Sequence, residues 1–296
     1  MITAAETTAE ALGSFLVGDY RRYFGAGEGR RAELIEAAAR LAIECLANSD
    51  ALYHTFEHTL LVTLAGRDIL RGRVLREPTS ADDWLHFLLA CLTHDIGYVR
   101  GVVNGDEAGR FVINSAGETV TLPRGASDAA LAPYHVDRSK LFILARFRHS
   151  ELIDCERVAS MIEFTRFPAP ATDKDVELDA ETGLVRAADL IGQLGDPNYI
   201  RKTNALFQEF AEIGVTRQLG YASPADLVES YPGFFWSQVS AHIAPALRHL
   251  NVTIEGRRPA PPRRAATAMI AREKSTRRER KKNSRTKGAV RRPQHR

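Results

Sequence analysis

Eight stretches of this chain place apolar residues at steps of three and four: Ala32 to Ala47, Phe56 to Leu70, Asp82 to Thr93, Arg138 to Phe147, Cys155 to Phe164, Glu181 to Leu194, Tyr199 to Ile213 and Pro224 to Leu250. That repeat turns one stripe of each helix inward, and helices of this kind bury their stripes against one another. An all-α, single-domain bundle is expected. The chain has 296 residues, 44% of them hydrophobic, enough for one core of roughly 200 to 250 residues. Three helix ends have local reasons. Asp196 suits the cap of a helix starting at Pro197, Ser223 that of one starting at Pro224, and Gly97 suits the close of a helix ending at His94-Asp95.

One segment breaks the pattern. Phe111-Val-Ile-Asn114 and Thr119-Val-Thr-Leu122 flank Ser115-Ala-Gly-Glu118, which reads as a β-hairpin inserted between helices at about 109–124. An insertion of this length suits a lid or a surface ornament.

Charge divides the chain in two. Residues 257–296 hold 16 Lys and Arg against Glu273 and Glu279, a net of +14, whereas the remainder has 24 basic and 35 acidic residues, a net of −11. Arg257-Arg-Pro-Ala-Pro-Pro-Arg-Arg264 marks the boundary, because clustered prolines stop a helix and few large apolar residues follow. The expected division is a folded body over 1–255, with its site within about 50–200, and a disordered basic tail over 256–296. Such a tail is either simply solvated or in contact with nucleic acid or an anionic membrane surface; without interleaved aromatics, base stacking is not expected. The three cysteines, Cys45, Cys91 and Cys155, lie too far apart for CxxC spacing and read as reduced core residues. With no basic leader in Met1 to Tyr20 and no membrane-length apolar run, a cytoplasmic location is expected.

Chemistry concentrates in a few polar residues on these helices. His54 and His58 are four residues apart, so a helix beginning at or before His54 would turn both toward one cleft. His94-Asp95 closes another helix, and in Arg186-Ala-Ala-Asp-Leu-Ile-Gly-Gln193 the acid Asp189 interrupts an apolar face. A lone histidine on a helix is usually structural, but His58, His94, Asp95 and Asp189 jointly offer two imidazoles and two carboxylates. That set suits Zn²⁺, Mn²⁺ or Fe²⁺, with Mg²⁺ at a carboxylate-rich second position. Such an ion makes hydroxide available near neutral pH and neutralises a phosphoryl group. His54 could then protonate the departing oxygen while Asp189 or Asp95 orients water, or His54 could simply hydrogen-bond a ligand.

The order His, His-Asp and a distant Asp in a helical chain resembles the HD-domain metal-dependent phosphohydrolase superfamily. Tyr53-His-Thr-Phe-Glu-His58 is similar to the Tyr-His-Asn-x-x-His motif of class I cyclic-nucleotide phosphodiesterases. The resemblance covers about residues 50 to 200. It implies an HD-type helical bundle, one or two divalent ions held by His58, His94, Asp95 and Asp189, and His54 as proton donor. Thr55 replaces the motif's Asn, Tyr98 stands where many members have a further His, and no purine-clamping Gln-x-x-Phe is found. The likeness therefore carries phosphohydrolase chemistry on a phosphomonoester or phosphodiester such as a nucleotide, without cyclic-nucleotide specificity.

For a second ion His135 is the first candidate and His149 the next, each with a surface or capping role as its alternative. Arg138 and Lys140, beside His135, could hold phosphate oxygens. Arg186 and Gln193 flank Asp189 and could edge the cleft; Arg201 and Lys202 could add positive potential or simply cover a helix. His86, His242 and His249 read as structural. Two further functions fit parts of the pattern. One is a non-catalytic nucleotide-binding HD sensor or adaptor whose basic tail reaches nucleic acid. The other is an inverzincin-type zinc protease, since His54-Thr-Phe-Glu57-His58 fits H-x-x-E-H with Glu57 activating water.

Overall fold

Several helices of this protein start at side chains that satisfy their first free amides. The computed structural model describes residues 2–168 and 180–254 of the chain. At α1 (Ala4–Phe24) the Thr3 hydroxyl accepts from the Glu6 N–H at 3.1 Å while the Glu6 carboxylate accepts from the Thr3 N–H at 2.7 Å, a reciprocal cap. The same device starts α4 (Ala81–Thr93) with Ser80 and Asp83, and α10 (Pro224–Phe234) with Ser223 and Asp226. The remaining helices are α2 (Gly29–Leu46), α3 (Phe56–Arg73), α5 (His135–Arg146), α6 (Cys155–Glu163), α7 (Glu181–Gly195), α8 (Tyr199–Glu212), α9 (Val215–Leu219) and α11 (Ser240–Leu250). The structure is thus mostly helical, as the apolar repeat predicts.

Three local expectations fail for identifiable reasons. The helix after Asp196 starts at Tyr199 with Asn198 before it, because the Asp196 carboxylate accepts from the Asn198 N–H at 2.7 Å and holds Pro197 in a turn. The long helix expected over Pro224 to Leu250 is interrupted by a π-helical stretch, Phe235–Val239. Pro232 and Pro245 each lack a ladder donor, and the Ser240 hydroxyl donates to the Trp236 carbonyl, giving that acceptor a side-chain donor. Gly97 does not end α4. It lies in a 3₁₀ turn, Ile96–Tyr98, and must be glycine because a Cβ there would sit 2.0 Å from the His135 carbonyl oxygen.

α4 is buried all round, from Trp84 to Thr93, and forms the centre of the core. α3 packs against α4, α7 and α11. Its approach to α7 is close: a Cβ on Gly192 would meet the Val62 backbone at 2.7 Å. That contact lies one turn from both His58 and Asp189. The hairpin forms as a two-stranded antiparallel sheet, β1 (Arg110–Val112) on β2 (Thr119–Thr121), with Arg110 opposite Thr121. The three cysteines are free thiols. Among the described residues no helix is long and apolar enough to cross a membrane. The expected disordered tail lies outside the described residues.

Candidate metal centre

Three elements deliver the central group. His58 sits in the first turn of α3, His94 caps the C-terminus of α4, and Asp95 opens the 3₁₀ turn that follows. These three side chains are buried, and one ligand atom from each lies within 4.8 Å of the others. His58 Nε2 is 3.5 Å and His94 Nε2 3.2 Å from Asp95 Oδ2. From α7, Asp189 Oδ1 approaches His58 Nε2 to 3.1 Å and His94 Nε2 to 3.7 Å. Ligands about 2.1 Å from one ion, at tetrahedral or octahedral angles, stand about 3.0–3.4 Å apart. Two of the four spacings, 3.1 and 3.2 Å, fall in that range, and the other two, 3.5 and 3.7 Å, lie just above it. Asp189 is less buried than the sequence suggests, its side chain 23% exposed, so the group is open on that edge.

His94 Nε2 and Asp95 Oδ2 are both buried, yet neither has a hydrogen-bond partner. The Nδ1–H of His94 donates to the Cys91 carbonyl at 2.9 Å, which fixes the tautomer and leaves Nε2 with a lone pair. Two such buried atoms in contact are costly unless a proton or a metal ion lies between them. The electrostatics show the same demand for positive charge at this point. Burial opposes charge on His94, but the Asp95 carboxylate outweighs it and pushes His94 up to about 9. Burial acts to raise Asp95, and the imidazoles around it, His94 foremost, hold it well below the usual carboxylate range. The group could hold a metal ion.

His54 lies before the helix, not on it: α3 begins at Phe56, with Thr55 as its cap. It nevertheless reaches the site, its ring 5.7 Å from that of His58. A residue the sequence reading did not single out holds it there. Glu209 on α8 accepts from His54 Nδ1 at 2.6 Å with one oxygen, and from the backbone N–H groups of Tyr53 and His54 at 2.6 and 3.3 Å with the other. Burial works against a charge on His54, and Glu209 overrides it, raising His54 above its ordinary value. The signal for Glu209 was present: it continues the buried stripe Tyr199, Thr203, Leu206 of α8, where an acid requires a partner.

His135 also comes to the site, its Nδ1 2.6 Å from the Ala132 carbonyl and its Nε2 3.7 Å from Asp95 Oδ1. Burial lowers it, against Asp95. Tyr98 stacks between the two outer imidazoles, 4.5 Å from His54 and 4.5 Å from His135. Gln193 lies near the Tyr53 hydroxyl, and the Tyr53 ring lies beside His54 and His58.

The other candidates go elsewhere. Arg138 is not a phosphate ligand: it is fully buried, and its guanidinium binds the Gly97, Val99 and Val112 carbonyls and the Asp106 carboxylate. Lys140 is paired with Glu163 at 2.6 Å and Asp137 at 3.2 Å, because α5 turns it toward α6 instead of the cleft. Arg186 donates to the Phe164 carbonyl, and Lys202 joins Glu57 to Asp196. His149 is exposed in the turn after α5. His86 bridges the Asp82 carbonyl and the Asp154 N–H and is structural, as expected. Glu57 is paired with Lys202 and its side chain is 57% exposed, so the H-x-x-E-H arrangement for peptide hydrolysis is not assembled.

Neither curated proteins nor solved structures provide a match to the chain. A family model does: residues 3–262, which span every helix described above and end just inside the basic segment, match the model described as Npun_R2479-like, and the chain belongs to that family.

Proposed function

We propose that this protein is a metal-dependent phosphohydrolase of HD type, acting on a phosphomonoester or phosphodiester such as a nucleotide. The observation that carries the reading is the buried His58, His94 and Asp95 trio with its two unpartnered atoms, flanked by Asp189 at ligand spacing. Those four side chains would hold the ion, of the Mn²⁺, Zn²⁺, Fe²⁺ or Mg²⁺ class. When bound, it supplies charge neutralisation at the phosphoryl group and a water of lowered pKa. The chain supplies the rest. Asp189, on the open edge, can orient a nucleophilic water and accept its proton. His54, anchored through Nδ1 to Glu209, is left with Nε2 for the leaving oxygen. His135, with Nδ1 donating to Ala132, turns a lone pair toward the second oxygen of Asp95 and is the candidate ligand for a second ion.

The test is metal content together with a phosphoester panel of cyclic mononucleotides, cyclic dinucleotides, nucleoside monophosphates and a chromogenic diester, each run with Mn²⁺, Mg²⁺ and Zn²⁺. Turnover that disappears with the metal in His94→Ala and Asp95→Ala is the expected result. Stoichiometric metal without turnover on any ester would overturn the enzyme reading in favour of a metal-bearing nucleotide sensor. A chain that binds no divalent ion would overturn both.

A further inference from the structure

We propose that Tyr98 is the positioning residue of this site: its ring, clamped between His54 and His135, sets the orientation in which both imidazoles present Nε2 to the cleft. The inference rests on the phosphohydrolase reading for its catalytic consequence, though not for its geometry. The three rings come from three different places: the loop before α3, the 3₁₀ turn after α4, and the first residue of α5. They form one near-parallel stack, with interplanar angles of 12° to His54 and 24° to His135. The central ring is the buried one. Tyr98 is 3% exposed, whereas the side chains of His54 and His135 are 20% and 18% exposed, so the imidazoles show an edge to solvent while the phenol fills the space between them.

Each histidine has a single hydrogen-bonded anchor, Nδ1 of His54 on Glu209 and Nδ1 of His135 on the Ala132 carbonyl, both at 2.6 Å. One such bond fixes a position but lets the ring swing about the N···O line, which would carry Nε2 out of place. A flat surface against the ring face removes that freedom, and offset stacking of aromatic rings supplies it.

Tyr98 can serve as the reference surface because its own backbone is fastened on both sides. The Arg138 guanidinium donates to the Gly97 carbonyl at 2.7 Å and the Val99 carbonyl at 2.9 Å. Ser139, next along α5, accepts from the Gly97 N–H at 2.9 Å and donates to the His94 carbonyl at 2.7 Å. The same helix start that carries His135 therefore holds Tyr98 and the His94-Asp95 segment in register. This gives a role to Arg138, which the sequence reading assigned to phosphate, and to Tyr98, which breaks the family pattern.

The test compares two leaving groups in the full chain loaded with Mn²⁺: bis(4-nitrophenyl) phosphate, whose nitrophenolate departs without a proton, and thymidylyl thymidine, whose sugar oxygen needs one. A proton donor contributes about 10²–10⁴-fold when the leaving group requires it, and a misplacement of about 1 Å costs on the order of 10²-fold. Tyr98→Leu is expected to lower kcat for thymidylyl thymidine by about 10²-fold with KM and occupancy of the ion site at His58, His94 and Asp95 unchanged, and to cost far less on the nitrophenyl ester. Tyr98→Phe, which keeps the ring, recovers most of the loss, and His54→Ala reproduces the same leaving-group pattern. Equal losses on both esters, or Tyr98→Phe as damaging as Tyr98→Leu, would overturn the proposal.

A second arm needs no activity. In the metal-free chain, the ring protons of His54 and His135, assigned with His54→Gln and His135→Gln, should move downfield in Tyr98→Leu as the ring current is lost, and stay near their places in Tyr98→Phe. Unmoved histidine signals would refute the stack. Tyr98→Met replaces Tyr98→Leu if the latter does not fold. Wild-type protein that cleaves neither of these diesters nor any ester of the panel above defeats the phosphohydrolase reading alone, and the NMR arm still decides the geometry.

Discussion

Replacing Arg138 by methionine should destabilise the fold far more than removal of an ordinary arginine. Arg138 and Asp106 form a two-pronged pair, Nη1 to Oδ1 at 3.0 Å and Nη2 to Oδ2 at 2.9 Å, with side chains 0% and 2% exposed. Three carbonyls, those of Gly97, Val99 and Val112, take its remaining N–H groups at 2.6–2.9 Å. Removing one member of a buried ion pair costs about 3–5 kcal/mol, since the other charge is left without its partner. Asp106 keeps the backbone N–H groups of Gly101 and Val112, both at 2.9 Å, which moderates its share. The orphaned carbonyls act the other way, at about 1–3 kcal/mol for each that stays dry. The net expectation is a loss of about 3–5 kcal/mol, a large part of the 5–15 kcal/mol typical of a folded protein. With an m-value of about 3 kcal/mol/M, the urea midpoint falls by roughly 1–2 M. Circular dichroism in urea measures this on metal-depleted protein, and limited proteolysis at 100–126 reports whether the hairpin detaches. Arg138→Lys should recover little, because an ammonium cannot span the same acceptors. A loss below about 1 kcal/mol, with the hairpin as protected as before, would refute the account of Arg138 as the bolt between α5, the hairpin and the Gly97 to Val99 segment.

Other perturbations test the site and its frame. Mn²⁺ at about 100 times its dissociation constant should stabilise wild type by about 2.7 kcal/mol, a rise of roughly 5–10 °C in Tm for a chain of this size; His94→Ala and Asp95→Asn should show no such rise in the same thermal scan. Gly192→Ala forces a Cβ to within 2.7 Å of the Val62 backbone. It should cost about 1–3 kcal/mol and weaken ion binding by drawing Asp189 from His58; unchanged values in unfolding and metal titration would count against the close helix contact. Asp83 gives a pH signature. Burial acts to raise it, but the Arg157 guanidinium and the Ser80 cap hold it down at about 2, against an ordinary 3.8. A depressed acid contributes stability that is complete above its ordinary value and is lost as pH falls through the depressed one. Asp83→Asn should therefore cost ~1 kcal/mol near neutrality, with the difference from wild type shrinking between pH 3.8 and about 2; a difference independent of pH across that range would contradict the assignment.

Residues with a local signal were the legible ones. The start of α3 at Phe56, the span of α7 and the hairpin followed from apolar spacing and turn residues, which act over a few positions. α1 was missed although its buried stripe, Ala9, Leu12, Leu16 and Tyr20, has helical spacing; Thr7, Thr8, Gly13 and Gly18 dilute the propensity on which a sequence reading depends. The His58, His94, Asp95 and Asp189 group was legible because residues of those types are unusual on apolar faces. Arg138 and Lys140 were misplaced for the opposite reason. A basic residue beside a candidate ligand carries no information about which way its helix face turns, and α5 turns Arg138 into the fold and Lys140 toward α6.

Glu209 shows where such reading stops. It lies 155 residues from His54, and nothing near either residue announces the other. What could be read was one-sided: an acid on the buried stripe of α8 must find a donor. The identity of that donor is decided by tertiary packing, which brings α8 against the loop before α3. The same reasoning yields a test of this packing apart from any activity. Glu209→Gln keeps the shape and one acceptor oxygen but removes the charge. The backbone N–H groups of Tyr53 and His54 can still be satisfied, while the attraction that holds the His54 proton is lost. The variant should fold with the loop intact, and His54 should titrate lower than in wild type by NMR. An unchanged His54 titration, with the Tyr53 and His54 amides still protected from exchange, would show that packing rather than the Glu209 charge sets the state of that imidazole.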